Sequence, residues 1–368
     1  MNFSTSTIYP RDRYHMSKVD DLLKQENIRR DDHLDHTIGI FDDDKLVATG
    51  SSYKNTLRCF AIDKEYQGYA LMNTLVSELL ILQNELGYDN SFVYTKKETG
   101  KFFEDLGFYP IASTDRLVFL ENRKDRFTNY LQELELETRQ QMSAMCPTSF
   151  VESKKNTDDP DHRDIRISSV VMNANPFTLG HLYLVEKTAA ENDLLHLFMV
   201  SDDSSLIPFS IREKLIREGT NHLNNIIYHR TGSYMISQSI FPSYFIKEAD
   251  DIILQQARLD IRIFSRIAKK LGITSRSIGS EPFSRVTALY NEVMQDLLPE
   301  EGIRVHIIPR KEQDEQAISA SRVRELIQQD RIEDIRTLVP KTTYDFFRSE
   351  DARPIIERIQ KEKDVIHY

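Results

Sequence analysis

The sequence predicts an α/β protein in two parts, a mixed α+β segment followed by a doubly wound parallel sheet. Three observations carry that expectation. Short apolar runs separated by turn residues crowd residues 37–62, as in an antiparallel meander. From residue 165 onward, apolar strands alternate with segments of helical period, the order of a parallel sheet covered on both faces. The chain has 368 residues, too many for one ordinary domain and enough for two.

The elements follow in order. Thr37–Phe41, Leu46–Gly50 and Leu57–Ile62 are strands, with turns at Asp42-Asp43-Asp44 and Lys54-Asn55. Residues 70–86 change to helical period, with Leu71, Leu75, Leu79 and Leu82 on one stripe. Phe92–Tyr94 is a short strand, and Thr99–Leu106 a short helix closed by Gly107. Residues 123–145 form a charged amphipathic helix whose buried face is Phe127, Tyr130, Leu131 and Leu134. Residues 154–161 are a polar, proline-containing boundary loop. Beyond it, Ile165–Met172, Leu194–Val200, Ile226–Tyr228, a strand ending at Ser277–Gly279, and Val305–Ile308 are strands. Helices cover Leu182–Ala190, residues 247–271 and 283–297, and the C-terminal stretch. Ser210–Glu213 has the spacing of a capping box and is expected to open another helix. The resulting division is 1–122, a linker helix and loop at 123–164, 165–345, and a helical extension at 346–368.

Composition narrows the function classes. Hydrophobic residues make up 40% and charged residues 29%, a balance that builds packed cores. A net charge of −10 argues against a general nucleic-acid binder. No apolar run approaches the ~18 residues of a membrane span, and the first 30 residues lack the apolar stretch of a secretory signal. Neither nucleic acid nor membrane is an expected partner, and the cytoplasm is the expected compartment. Two cysteines, Cys59 and Cys146, cannot frame a disulfide scaffold or a Cys-rich zinc site. No metal-ligand set is expected within the chain, so any metal should arrive with a phosphate-bearing substrate. The Asp31–His36 run reads as a solvated turn, and His196, in an apolar strand, as a core histidine.

Two segments carry chemistry. Val170–Met172 runs into Asn173-Ala174-Asn175-Pro176-Phe177-Thr178-Leu179-Gly180-His181: a strand, an Asn-Pro turn, then a helix start. The first turn of a helix offers unpaired N–H groups and positive dipole potential, and Thr178 and His181 could face one phosphate there. Thr178 as an ordinary N-cap explains the same spacing. The second segment is Ile318-Ser319-Ala320-Ser321-Arg322-Val323-Arg324. Arginines near a helix start oppose the macrodipole, and a bound phosphate chain would reverse that sign; a solvent-facing pair, or one paired with Glu325, is the plain alternative.

Together the two segments resemble the nucleotidyltransferase superfamily, with its H/T-x-G-H signature near the start and an I-S-S-T-x-V-R-like signature near the end. Ala320 and Ser321 stand where the second signature has Ser-Thr. Thr231-Gly232-Ser233-Tyr234, Phe241-Pro242-Ser243-Tyr244-Phe245 and Gly279-Ser280-Glu281-Pro282 extend the likeness. With Met172–His181, they make residues 165–345 similar to the catalytic domain of the citrate lyase ligase family. In the N-terminal third, Glu65-Tyr66-Gln67-Gly68-Tyr69-Ala70 resembles the pyrophosphate loop of the GNAT acetyltransferase superfamily, departing at Glu65 where that loop has Gln or Arg. Phe103–Phe108 resembles the late helix-to-strand segment of the same superfamily.

The resemblance implies a GNAT-like domain followed by a Rossmann-like nucleotidyltransferase domain. It implies an ATP-dependent ligase that activates acetate as acetyl-adenylate. The acetyl group then passes to the thiol of a CoA-like arm on the citrate lyase acyl carrier subunit, with AMP and pyrophosphate released. ATP is the implied nucleotide and Mg²⁺ its companion. The implied catalytic residues are His181 and Thr178, and the implied phosphate-binding residues are Asn175, Gly180, Arg212, Ser319, Ser321, Arg322 and Arg324. Ser233, Tyr234, Gly279 and Glu281 are candidates for the acetate pocket, and Gln67, Gly68, Tyr69 and Ala70 for binding the arm. The signatures alone leave two alternatives open. One is an adenylyltransferase acting on a phosphate acceptor such as phosphopantetheine or nicotinamide mononucleotide, and the other a non-catalytic nucleotide-sensing or carrier-docking protein.

Overall fold

The computed structural model describes residues 3–31, 33–145, 165–235, 249–280, 285–313 and 316–365. The polar run at 154–161, Cys146 and the Phe241–Phe245 block lie outside the described residues. The chain divides into two compact units, Met1–Thr128 with Ile236–Ile263, and Asn129–Met235 with Phe264–Tyr368.

The strands of the first unit are β1 (Phe3–Ile8), β2 (His36–Asp42), β3 (Lys45–Tyr53), β4 (Thr56–Ile62), β5 (Phe92–Lys96), β6 (Tyr109–Ser113) and β7 (Leu117–Glu121). They form one sheet in the order β1-β2-β3-β4-β5-β7-β6. The expected meander is β2–β3–β4, with pairings such as Ile38↔Gly50 and Thr49↔Ala61. β4 and β5 are parallel and pair only at Thr56↔Phe92 and Leu57↔Val93. A register shift between Thr49 and Ser51, with Cys59 at φ +53, marks a bulge opposite β3. A bulge bends the strand that carries it, and beyond Leu57 β4 leaves β5. A cavity of about 780 Å³ opens there, walled by Phe60, Ile62, Val93 and Thr95.

Helix α1 (Arg13–Gln25) buries Val19, Leu22 and Leu23, and Asp12 caps it by accepting from the His15 N–H at 3.1 Å. α2 (Leu71–Glu85) lays Leu71, Leu75, Val76 and Leu79 into the sheet's core; of the predicted stripe Leu71, Leu75 and Leu79 are buried, whereas Leu82 is only half-buried. α3 (Lys97–Asp105) ends in a turn whose Gly107 has φ +87, the left-handed conformation that glycine adopts without strain. Residues after 248 complete this unit: the Thr114 hydroxyl donates to Gln255 Oε1 at 2.7 Å, and Arg116 pairs with Asp251. The Asp31–His36 run is not simply solvated, because Asp31 is buried in an ion pair with Arg58 at 3.0 Å.

The second unit is a five-stranded, wholly parallel sheet of β8 (Ile167–Met172), β9 (Leu194–Met199), β10 (Ile226–Arg230), β11 (Ser275–Gly279) and β12 (Arg304–Ile308). Its order is β10-β9-β8-β11-β12. The connections run one way from β8 to β9 and β10, then cross to β11 and β12. The strand order therefore reverses between β8 and β11, where doubly wound sheets bind ligands beyond the strand C-termini. Every residue of β9 is buried, as a strand covered on both faces requires.

α4 (Arg126–Met145) runs beside the outer strand β10. Gln141 donates to the Tyr228 carbonyl and accepts from the Tyr228 N–H, both at 2.9 Å, so its amide serves an otherwise open edge. α5 (Leu179–Glu191), α6 (Phe209–Gly219) and α8 (Arg285–Glu300) alternate with the strands, and of α7 (Ala249–Leu271) the residues from Phe264 onward belong to this unit. α9 (Ala320–Gln328), α10 (Lys341–Phe347) and α11 (Arg353–Lys361) share one core with Val170 and Leu197 through Ile327, Phe347 and Ile359. The capping box expected at Ser210–Glu213 does not form. Pro208 is the N-cap of α6, the Phe209 N–H donates to Asp203, and Glu213 pairs with Arg217 and Arg230. None of the described helices is long and apolar enough to cross a membrane.

His196 is a core histidine, stacked on His229 with ring centroids 5.1 Å apart. His229 Nδ1 lies 3.5 Å from Glu137, and His196 Nδ1 lies 2.9 Å from His229 Nε2. If His229 donates to Glu137, its Nε2 accepts from His196, and the buried His196 Nε2 lone pair has no partner among the described residues. Burial pushes both imidazoles below their ordinary value of 6.5. Unfolded chains bind these protons more readily, so this contribution to stability is complete above pH 6.5 and is lost as the pH falls below it. Thermal unfolding followed across that range should show a falling midpoint that His196→Phe blunts. An equally steep fall in that variant would place the acid sensitivity elsewhere.

Candidate active site

Beyond β8 the chain turns through Ala174, at φ +50, and a cis Asn175–Pro176 bond into α5. Thr178 is the N-cap. Its Oγ1 accepts from the His181 N–H at 3.3 Å, while His181 Nδ1 accepts from the Thr178 N–H at 3.1 Å and lies 2.9 Å from Thr178 Oγ1. Histidine thus takes the third position of a capping box, usually held by Glu or Gln. With Nδ1 accepting, the neutral ring carries its proton on Nε2, and that N–H is a donor aimed away from the cap. Burial first, then the Arg310 and Arg324 cations, hold the His181 pKa down to about 4, so the ring is neutral at pH 7. Phe177 stacks on it at 6.0 Å.

The two sequence segments meet here. A Cβ on Gly180 would come within 3.0 Å of the Ile318 carbonyl oxygen, so only glycine allows this approach without displacing backbone. The Ile318 N–H donates to the Lys311 carbonyl at 3.1 Å. Ser319 caps α9, accepting from the Arg322 N–H at 3.1 Å. Arg322 is exposed and pairs with Glu325 at 3.1 Å, the plain arrangement its spacing allowed.

Arg324 departs from the expectation of a surface or phosphate-facing cation. It is 1% exposed, with Nε donating to the Val365 carbonyl at 2.6 Å, Nη1 to the Asn175 carbonyl, and Nη2 to Ser321 Oγ at 3.3 Å. Burial lowers its pKa to about 10, which leaves it charged at neutral pH. Arg212 likewise does not present its guanidinium to a phosphate. It is fully buried and donates to the carbonyls of Ile207, Asn173, Val200 and Asp202 and to Asn173 Oδ1, at 2.6–3.0 Å. It thereby locks the loop after β9 against the end of β8. Asn175 Oδ1 accepts from the Ile207 N–H at 3.2 Å, and its buried Nδ2 has no partner among the described residues.

The remaining candidates are spread along the same strand ends. Ser233 and Tyr234 follow β10, with Tyr234 buried against the Tyr130 ring at 4.7 Å. Gly279 ends β11, and none of the described residues stands within 4 Å of where its Cβ would be. Glu281 lies outside the described residues. One cation went unremarked in the sequence: Arg310, two residues past β12. Its N–H donates to Ser280 Oγ at 3.0 Å and its Nε to the Ser280 carbonyl at 2.8 Å. Basic residues immediately beyond strand C-termini were the available signal.

In the first unit, Gly68 (φ +95) and Ala70 (φ +56) turn the chain into α2, whose start has no side-chain cap. Gln67, Gly68 and Ala70 line the 780 Å³ cavity with Tyr94 and Thr99, whereas Tyr69 stands 49% exposed outside it. Glu65 is drawn toward Lys45 at 3.4 Å.

The strand order and the Thr-x-Gly-His helix start at its point of reversal make this unit a doubly wound α/β domain with a ligand crevice beyond its strand C-termini. The profile described as the citrate lyase ligase C-terminal domain matches residues 167–347. Over 342 residues the chain is 35% identical to the citrate (pro-3S)-lyase ligase of Klebsiella pneumoniae, covering 91% of this chain and 93% of that one. The corresponding ligase of Escherichia coli strain K12 is 34% identical over 341 residues, 91% and 90% of the two chains. A solved acyl-CoA N-acyltransferase from Pseudomonas aeruginosa is 12% identical with a TM-score of 0.30, covering 33% of this chain and 100% of that one. The chain belongs to the citrate lyase ligase family, whose members are enzymes.

Proposed function

We propose that this chain uses ATP to activate acetate as acetyl-adenylate. It then acetylates the thiol of the CoA-like arm on the citrate lyase acyl carrier subunit, releasing AMP and pyrophosphate. The observation that carries the reading is the His181 Nε2–H donor, fixed by Thr178 at the helix start beside the reversal of strand order.

Acetate is already an anion and needs no general base. One carboxylate oxygen attacks the α-phosphorus in line with the departing pyrophosphate, so the protein's task is to position the reactants and stabilise charge. His181 donates from Nε2 to an α-phosphate oxygen as charge builds there. Thr178 holds the ring's orientation and tautomer. The Asn175 Nδ2 donor, Gly180 and the N–H groups of the α5 turn serve the phosphates. Ser319, Ser321 and Arg322 line the side from which pyrophosphate leaves, and Arg324 and Arg212 fix the backbone around them. Gly279 leaves room beside the strand ends, and Ser233 and Tyr234 border the carboxylate side. In the second step the arm's thiolate attacks the acetyl carbonyl and AMP departs. Burial pushes Cys59 up to about 12, which suits a core thiol and not a nucleophile.

Among the described residues, no group of three or more His, Cys, Asp or Glu side chains is arranged to hold a metal ion. Mg²⁺ would come to the site with the nucleotide, as part of the substrate. The cavity between β4 and β5 suits the arm's pantetheine-like chain, with the Gln67–Ala70 turn and the uncapped α2 start toward its pyrophosphate.

The test is paired: acetate-dependent ATP–pyrophosphate exchange, and acetylation of the carrier. Both should proceed in the parent protein, whereas exchange supported by a phosphomonoester instead of acetate would favour the adenylyltransferase alternative. In Gly68→Asp, exchange should persist while carrier acetylation falls about tenfold or more, because the added carboxylate repels the arm's phosphates and φ +95 strains any side chain. Equal loss of both activities in a folded variant would show that the two units do not divide the work.

A further inference from the structure

We infer that Arg310 is a nucleotide-binding residue of this site, holding the polyphosphate from the β12 side opposite His181. The inference deepens the proposed reaction and rests on that reading. β11 and β12 run paired to their last residues, Gly279↔Ile308, so Ser280 and Arg310 both lie just past the C-terminal edge of the sheet. That edge is where the strand order reverses. Two hydrogen bonds to Ser280, one from the Arg310 main chain and one from Nε, orient the side chain from both ends. A guanidinium anchored through Nε keeps its plane, which is the geometry that suits forked recognition of phosphate oxygens.

The next residue ties this cation to the helix start. Lys311 accepts from the Ile318 N–H, and the Ile318 carbonyl lies against Gly180, the neighbour of His181. The electrostatics agree, since Arg310 ranks ahead of Arg324 among the charges that keep His181 neutral. Arg212 and Arg324, buried on main-chain carbonyls, hold the backbone of the same crevice. A phosphate chain reaching His181 would meet Arg310 across the crevice. Its negative charge would offset the repulsion between that cation and a histidine that gathers positive character as it donates.

The experiment compares Arg310→Gln and Arg310→Lys with the parent in acetate-dependent ATP–pyrophosphate exchange, with folding followed by circular dichroism. The Gln variant should raise KM for ATP by about 10- to 100-fold, the range expected for losing a charged hydrogen-bonding partner, and leave KM for acetate within about twofold. The Lys variant should recover part of the loss, because it keeps the charge without the fork. The acid limb of the rate profile should move to higher pH in Gln, where the cation that depresses His181 is gone. An unchanged KM for ATP in a folded Gln variant overturns the inference, as does a rise confined to acetate. If Gln does not fold, an unchanged KM for ATP in Lys overturns it equally, and a severalfold rise there supports it. If the parent shows no acetate-dependent exchange, the proposed reaction fails. Calorimetric titration of ATP into parent and variants then decides Arg310 independently, with weaker binding in Gln supporting it and equal binding overturning it.

Discussion

His181→Ala should lower acetate-dependent pyrophosphate exchange about 100- to 1,000-fold while the protein remains folded, the usual cost of removing one preorganised donor from a developing oxyanion. The same change removes the acceptor for the Thr178 N–H, so a stability loss of about 1 kcal/mol should accompany it. His181→Gln separates the two effects. Glutamine at the third helical position can complete a capping box, so stability should return toward that of the parent while the rate stays low. Near-parental exchange in either variant would remove His181 from the chemistry. The pH dependence has a definite sign. Because the folded-state pKa is about 4, the neutral ring persists across mild acid, and its contribution to rate is lost only as the pH falls through that value.

Arg324→Ala should be the most damaging change to stability, by about 2–4 kcal/mol, measured as a lower urea midpoint. The cause is not the lost charge alone. Removing the guanidinium leaves the carbonyls of Asn175 and Val365 without a donor in a buried setting and opens a void between them. ATP binding should weaken as well, because the Asn175 turn loses its anchor. Opposition to the helix dipole predicts instead an unchanged or slightly stabilised protein. The urea midpoint therefore distinguishes a buried tie from a surface charge, and an unaltered midpoint would return Arg324 to the surface role.

The alternation of strands and helices was legible because β8, β9 and β12 are apolar runs between segments of helical period, and the meander because its turns are short and polar. β1 gave no such signal: four of its six residues are exposed, with no alternation to read. α1 was hidden by its few apolar positions, Val19, Leu22 and Leu23, among charges. Within the site, the Thr178–His181 pair could be read because capping is local. The duties of Arg212 and Arg324 could not, because their partners come from distant sequence, 149 residues away for the Asn175 carbonyl. A guanidinium's neighbours decide whether it meets a ligand or supports a loop, and helix spacing carries no information about carbonyls delivered from elsewhere. Arg310 was missed for the same reason, since its orientation depends on Ser280, which arrives from the neighbouring strand.

The first unit is discontinuous in sequence, and synthesis from the N-terminus gives that arrangement a temporal meaning. Thr114 and Arg116 emerge from the ribosome more than 130 residues before their partners Gln255 and Asp251. The leading sheet must therefore wait, partly assembled, while β8, β9 and β10 are made. Contacts of such long sequence separation close slowly and leave a nascent chain exposed in the interval. A fragment ending before residue 249 would carry every strand of the first sheet and still lack the segment that completes the unit.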